Sequence, residues 1–257
     1  MTNIPLVPGV AGFEASDTFV TTELFNSAIP HPVTEDFPVA ADVVLEQFAV
    51  VGIGADGNLA MGTYGFQPAK AATGALTFSG VGTVDDTITI GSVTYTLKAA
   101  PTTVANQVKI GATAAETAAN LIAAVNKAAG GGSAYGSSTL VHPDVQAESL
   151  GGAVVGVTAK VPGLAGNAIA TTEVGTNTSF GAVTLTGGED LQGVQPIGVT
   201  TAPVADVDAA QRVAIYRAGN FNPDALKWHA SFDSDAKKLA AFRGAPAPTN
   251  IVVRKRL

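Results

Sequence analysis

Apolar and hydroxyl-bearing residues alternate along three short segments in the middle of the chain. A period of two sends successive side chains to opposite faces of a strand, so this pattern predicts half-buried antiparallel strands. The 29 glycines and 14 prolines among 257 residues supply the turns that many short strands need. We therefore expect a mainly β fold with short helices (α+β). The three segments are ALTFSG from Ala75, DTITIG from Asp86 and VTYTLK from Val93.

Charge and composition exclude several function classes. The chain has 14 Lys and Arg against 21 Asp and Glu, a formal net charge of −7. Proteins that bind nucleic acid or acidic membranes need a basic face, so neither partner is expected. The basic end, residues 254–256, is expected to be a solvated charge run, the alternative being contact with a negative partner surface. Cysteine is absent, which excludes thiolate chemistry, and three scattered histidines (His31, His142 and His229) argue against a histidine metal centre.

Local composition and hydrophobic patterning divide the chain into three parts. Residues 1–37 are rich in proline and carry one strand-favouring segment, 19–25, so we expect an extended arm that cannot fold alone. Residues 38–72 and 191–257 share a pattern of apolar runs and turn signals and are predicted to form one body. Residues 73–190 hold their own strands and helix and are predicted to be an inserted domain.

Further strands are predicted where apolar runs are bounded by turn residues. The first and last strands of the inserted domain could pair, which would bring the two ends of that domain together. The predicted segments are 48–53, 59–64, 153–160, 182–186, 195–200 and 212–216.

Capping signals mark the starts of helical segments. Thr113 and Glu116 have the spacing of a capping box, and the glycines at 130–132 are expected to end that helix. Asn222 is predicted to be an N-cap with Pro223 at the first helical position.

Three glycines match a nucleotide-binding motif but have a plainer explanation. Gly52, Gly54 and Gly57 fit the G-x-G-x-x-G pattern of dinucleotide-binding folds, yet no helix pattern follows them. Asp56-Gly57 is a strong hairpin signal, so we interpret the segment as a turn between two strands.

A pair of aspartates near the end of the chain is also explained without a ligand. Asp233 and Asp235 form a D-x-D, but the further ligands of a calcium loop are absent. They are better explained as the start of a helix that runs from Asp233 or Ser234 to Arg243 and stops at Gly244. Neither G-x-S-x-G nor H-E-x-x-H occurs. We expect no enzyme, with no catalytic residue, no cofactor and no metal.

Large apolar side chains concentrate near the C-terminal helices. They can form a small core or, since aromatic residues are enriched in interfaces, a contact between subunits. The residues of this cluster are Phe221, Leu226, Trp228, Phe232 and Phe242.

Residues 212–246, RVAIYRAGNFNPDALKWHASFDSDAKKLAAFRGAP, resemble the C-terminal part of the lambda-type phage head-decoration proteins. The shared pattern is a strand that ends in glycine, an F-N-x-x-A-L-x-W helix start and a D-x-x-K-K/A-x-A-A helix. Residues 31–53, HPVTEDFPVAADVVLEQFAVVGI, are similar to the arm and first strand of such proteins. The matching residues in the C-terminal part are Gly219, Phe221, Asn222, Ala225, Leu226, Trp228, Asp235, Lys238, Ala240 and Ala241.

The inserted domain has no counterpart in the small members of that family. It is similar to a module found in many phage structural proteins. The similarity lies in a T-I-G-x-x-T-Y-T strand pair, an A-A-N-L-I-A-A-V-N helix and the P-G-x-A-G-N loop at 162–167.

The resemblance implies a non-enzymatic cement protein of the virion, assembled in the host cytoplasm. It implies a β-clip-like body that sits as a homotrimer at three-fold positions on the outer surface of the expanded capsid. The arm is expected to pair with the major capsid protein by strand addition. The candidate capsid-binding residues are Phe19, Val20, Thr21, Thr22, Leu24 and Phe25. The alternative is an adhesion module on the virion surface that binds a host glycan or surface protein through the inserted domain.

Overall fold

The computed structural model describes residues 23–205, 209–243 and 249–255. These residues form a mainly β fold with two short α-helices, which confirms the fold class predicted from the sequence. The chain divides into two compact units. The body comprises Met1–Phe66 and Gly193–Leu257, and the insert comprises Gln67–Gln192.

Strands and helices are numbered in chain order. The body holds β1 (Phe25–Ser27), β2 (Val33–Val39), β3 (Val50–Ile53), β4 (Leu59–Met61), β13 (Gly198–Thr200), β14 (Gln211–Phe221), β15 (Asn250–Val253) and helix α2 (Asp235–Ala240). The insert holds β5 (Thr73–Phe78), β6 (Thr87–Ile90), β7 (Val93–Lys98), β8 (Gln107–Lys109), helix α1 (Ala114–Asn126), β9 (Val145–Ser149), β10 (Val154–Ala159), β11 (Thr171–Val174) and β12 (Thr178–Phe180).

β14 is the centre of the seven-stranded body sheet, in which β1, β14, β13, β3 and β4 are neighbours in that order. With 11 residues, β14 is long enough to hold two short strands along each edge. β2 and β1 pair antiparallel with one edge, β2 along residues 211–218 and β1 along residues 220–221. On the other edge, β13 pairs antiparallel with Ile215 and Tyr216 of β14. β15 pairs with the same edge of β14, in parallel, along residues 218–221.

The two faces of the body sheet bury different apolar clusters. Because side chains alternate along a strand, neighbouring residues such as Val50 and Val51 enter opposite clusters. One cluster contains Val39, Leu45, Ala49, Val51, Leu59, Ile197, Val204, Val213 and Ile215. The other contains Val50, Val199, Phe221, Leu226, Phe242, Ile251 and Val253.

Part of the predicted arm belongs to the body sheet, which corrects its predicted boundary at residue 37. β1 and β2 both pair with β14, and Val39 at the end of β2 is fully buried. The sequence VTEDFPV obscures this strand because its charged residues and Pro38 break the period-two pattern. Its hydrogen bonds come from the long edge of β14, and Glu35 also forms an ion pair with Arg217 at 3.3 Å. Residues 1–22 of the predicted arm lie outside the described residues.

The glycine motif of the body forms a hairpin, as the sequence predicts. β3 and β4 pair antiparallel from Val51↔Met61 to Ile53↔Leu59. In the turn, the Gly54 N–H donates to the carbonyl oxygen of Asn58 at 2.8 Å. Gly57 has a φ of 81°, a left-handed conformation that favours glycine.

The insert consists of two four-stranded sheets and α1. One sheet has the order β12-β5-β10-β9 and the other β11-β6-β7-β8. All neighbouring strands are antiparallel except β7 and β8. Both sheets and α1 contribute to one buried cluster, which includes Leu76, Ile88, Tyr95, Leu97, Leu121, Val155 and Leu185.

The helix of the insert begins at the predicted capping box. Thr113 Oγ1 accepts a hydrogen bond from the Glu116 N–H at 3.2 Å, and Glu116 Oε2 accepts one from the Ala112 N–H at 2.6 Å. One donor of the first turn and the N–H just before the N-cap are thereby satisfied. The helix ends before the glycines at 130–132, because Lys127 already adopts a left-handed conformation with a φ of 49°.

Three predicted elements differ from the structure. Residues 182–186 form isolated bridges instead of a strand. Asn222 caps a single 3₁₀ turn, Pro223–Ala225, with its side chain accepting from the Asp224 N–H. α2 ends at Ala240, three residues before the predicted end at Arg243.

The two ends of the insert run side by side. Gln67 and Gln192 exchange backbone hydrogen bonds of 2.9 and 3.0 Å, and Lys70 and Glu189 exchange bonds of 2.8 and 3.1 Å. Lys70 Nζ and Glu189 Oε2 also form an ion pair at 2.9 Å. The first and last residues of this unit are therefore neighbours in space.

Candidate functional site

The acidic groups near α2 are engaged in ion pairs. Asp233 Oδ2 lies 2.8 Å from Lys237 Nζ, and Asp235 Oδ2 lies 2.5 Å from Lys255 Nζ. The hydrogen bond from Lys237 holds the pKa of Asp233 below its ordinary value, and Lys255 does the same for Asp235. Both carboxylates are exposed. In the part of the chain that the structure describes, no group of three or more His, Cys, Asp or Glu side chains could hold a metal ion.

The candidate capsid-binding residues divide into two sets. Phe19, Val20, Thr21 and Thr22 lie outside the described residues. Leu24 and Phe25 pack against the apolar cluster around Phe221. The Phe25 ring lies 4.9 Å from that of Phe221 and 5.4 Å from that of Tyr216, measured between centroids. Leu24 and Phe25 are therefore part of the body's packing, which corrects their assignment to an extended arm.

A continuous exposed segment follows β1 and includes the first half of β2. We call residues 27–36 the β1–β2 edge. All of them except Pro30 are exposed. Ile29 is 77% and Val33 is 54% exposed, high values for large apolar side chains. The second half of β2 differs, because Phe37 and Val39 pack with β4 residues in a shared apolar cluster.

The β1–β2 edge combines three features that suit a protein partner. Among the described strands, β2 pairs with β14 alone, so alternate residues between 33 and 36 turn backbone donors and acceptors to its other side. Ile29 and Val33 supply apolar contact, and the carboxyl groups of Glu35 and Asp36 add negative charge. The sequence analysis did not identify Ile29 and Val33, although two apolar residues that flank Pro30 and Pro32 just before two acids are a recognisable signal.

The cluster of large residues near the C-terminal helices lies in the core of the body. Phe221, Leu226 and Phe242 are buried in one cluster, with Trp228 packed against it. Phe232 is also buried, and its ring centroid lies 5.0 Å from that of Trp228. The structure thus supports the core alternative for these five residues over the subunit contact.

The aromatic residues of the insert are mostly internal. Phe78, Tyr95 and Tyr135 are buried, and Phe180 is half-buried. A stacking surface for sugars requires exposed aromatic faces, and these four side chains do not provide one. Burial raises the pKa of the Tyr95 hydroxyl well above its ordinary value of 10.0. This geometry gives no support to glycan binding through these residues.

No protein-family model matches the sequence, and no curated protein matches it. Neither helix in the described part of the chain has the length and apolar character needed to cross a bilayer.

Proposed function

We propose that this chain is a structural protein that docks on the outside of an expanded phage capsid and stabilises it. The observation that carries the proposal is the β1–β2 edge, where Ile29 and Val33 are exposed beside a strand edge that no described strand covers. An extended segment of a partner can add to such an edge through backbone hydrogen bonds. The resemblance of residues 212–246 to head-decoration proteins suggests the major capsid protein as that partner.

Binding of this protein would stabilise the expanded capsid through thermodynamic linkage. A protein that binds the expanded shell but not its dissociated subunits shifts the equilibrium toward the shell. We further propose a homotrimer at three-fold positions, since three linked contacts bind far more tightly than one.

Co-sedimentation tests the capsid role and the edge together. Purified protein is mixed with expanded, undecorated capsids, and the pelleted fraction is measured over a concentration series. The unaltered protein is expected to reach a symmetric saturating occupancy. The double variant Ile29→Asp, Val33→Asp is expected to bind at least about tenfold more weakly, because apolar contact at the edge is lost.

Val44→Asp is the matched control, since Val44 is 61% exposed in the body but lies outside the edge. It is expected to bind like the unaltered protein. Equal binding by the double variant would contradict docking through the edge. Failure of the unaltered protein to sediment with capsids would contradict the capsid role itself.

Light scattering of the free protein and a reconstruction of decorated capsids test the trimer. Three copies around each three-fold axis are expected on the shell. Monomers or dimers at other positions would contradict the proposed assembly.

A further inference from the structure

A groove runs beside β15, on the opposite side of β14 from β1. Its volume is about 280 Å³. Four consecutive residues, 251–254, line the groove. Because neighbouring side chains point to opposite faces of a strand, a groove lined by consecutive residues follows the strand edge. The lining residues are Leu239, Phe242, Arg243, Ile251, Val252, Val253 and Arg254. We call this the β15 groove.

The parallel ladder turns the backbone groups of Ile251 and Val253 away from β14. The Arg254 N–H donates to the carbonyl oxygen of Phe221 at 3.1 Å. In a parallel ladder, alternate residues turn both backbone groups toward the same neighbour, so Val252 and Arg254 face β14. Ile251 and Val253 consequently face the outer edge. Among the described residues, none forms a hydrogen bond with that edge. A strand edge of this kind can accept a further extended segment through backbone hydrogen bonds.

The charge of the β15 groove is complementary to that of the N-terminal segment. Arg243 and Arg254 are exposed at the groove, and residues 236–257 contain six Lys and Arg but no Asp or Glu. Residues 1–66 contain no Lys or Arg. Within residues 1–22, the charged side chains are Glu14 and Asp17.

The described chain begins within reach of the β15 groove. Leu24 packs in the same apolar cluster as Phe242 and Val253. The Asn26 side chain donates from Nδ2 to the carbonyl oxygen of Arg254. From β1 to a new strand outside β15 is three strand spacings, about 15 Å, which four or five extended residues span.

We propose that residues 1–22 dock in the β15 groove of the same molecule. The segment adds an extended strand to the outer edge of β15, pairs with the backbone of Ile251 and Val253, and brings Glu14 and Asp17 near the two arginines. Strand addition of this kind combines main-chain hydrogen bonds with side-chain contacts. The inference concerns the free protein and does not depend on the capsid role.

Hydrogen exchange of three neighbouring amides tests the docking. In the full chain, the amides of Ile251 and Val253 are expected to be protected. In a variant that lacks residues 1–22, they are expected to exchange at least tenfold faster. The Val252 amide, which faces β14, is the internal control and should not change. A synthetic peptide of residues 1–22 added to the truncated protein should restore the protection.

Each outcome of the exchange experiment supports or contradicts the docking. Unchanged exchange at Ile251 and Val253 would mean that another segment, such as residues 244–248, covers this edge, and it would overturn the proposal. Faster exchange at Val252 as well would mean that β15 itself is disturbed by truncation. A full-length charge variant then decides: Arg243→Glu should raise exchange at Ile251 and Val253, and adding Glu14→Lys should reverse the rise. Lys227→Glu, an exposed lysine of the body, serves as its control.

A spin label distinguishes docking within one molecule from docking between copies. The chain has no cysteine, so Lys238→Cys on α2 gives a single attachment site. The label is expected to broaden the amide signals of residues 1–22 on its own chain. Broadening seen only when labelled and isotope-enriched copies are mixed would overturn docking within one molecule.

Discussion

The Nε2 atom of His142 lies 3.0 Å from the carbonyl oxygen of Ile90, so this nitrogen carries the proton. Nδ1 in turn accepts from the N–H groups of Asp144 at 3.1 Å and Val145 at 3.3 Å. Both nitrogens are thereby committed, and there is no room for a second proton without losing two hydrogen bonds. The ring is buried, and burial is the main cause that lowers the pKa of His142 below its ordinary value of 6.5.

Acid is therefore expected to destabilise the insert through this histidine. Below pH 6.5, the unfolded chain protonates His142 while the folded chain does not, so the unfolded state binds more protons. The free energy of unfolding falls as the pH drops from that value toward the lower folded pKa. The fall in the free energy of unfolding is measured by urea unfolding of the full chain at pH 8 and pH 5, followed through amide signals of the insert.

The substitution His142→Gln isolates the contribution of this group. It is expected to lower stability at pH 8 by about 1–3 kcal/mol, because buried partners lose their hydrogen bonds. It should also flatten the dependence on pH. His31→Gln, at an exposed position, should leave the stability at pH 8 unchanged. An equally steep pH dependence in His142→Gln would show that other groups cause it.

Removing residues 1–37 is expected to disrupt the body. The deletion takes away β1, most of β2 and the Phe25 ring that packs on Phe221. One edge of β14 would lose its partners, and an apolar cluster would open to water. The fluorescence of Trp228 in urea should no longer show a cooperative transition. Deleting residues 1–22 alone should preserve that transition, and its loss in both variants would contradict the role given to β1 and β2.

Gly52 is expected to tolerate no side chain. A Cβ at this position would lie 1.9 Å from the carbonyl oxygen of Gln195. Gly52→Ala must push β3 away from that backbone and should lower the free energy of unfolding by about 1–3 kcal/mol or more. Gly181→Ala is the comparison, since its Cβ would have no atom nearer than 3.9 Å. If thermal unfolding of the two variants shows equal losses, close packing is not the reason for glycine at position 52.

Excising the insert is expected to leave a folded body. Within the body, the Thr63 N–H donates to the carbonyl oxygen of Val194 at 2.7 Å, so the cut ends lie close together. A short Gly-Ser linker between Phe66 and Gly193 should close the gap, since closure entropy rises slowly with loop length. The separate fragment, residues 67–192, should melt cooperatively by circular dichroism. A body that fails to fold, or a fragment without a melt, would count against two independent units.

Local signals in the sequence predicted much of the fold. The period-two pattern located β5, β6 and β7, and the capping box at Thr113 located the start of α1. β2 was missed because its charged residues and Pro38 mask the alternation, and its stability comes from a partner strand more than 170 residues later in the chain. No short-range pattern reports such a pairing.

The candidate surfaces were harder to predict than the strands. Exposure of Ile29 depends on which strands leave the edge uncovered, and that follows from topology. The same holds for the β15 groove, which exists because Asn250–Val253 pairs with the far end of β14. Leu24 and Phe25 were assigned to the arm for this reason too, since their burial is decided by Phe221 and Tyr216.

The paired stem formed by Gln67 and Gln192 makes the insert exchangeable in evolution. The two chain segments at Gln67 and Gln192 lie about 5 Å apart, the separation of antiparallel neighbours. A gene segment that encodes any domain with adjoining termini can replace it without altering the register of the body strands. Selection on the insert is thereby uncoupled from selection on the body, so the sequences of the two units can change independently.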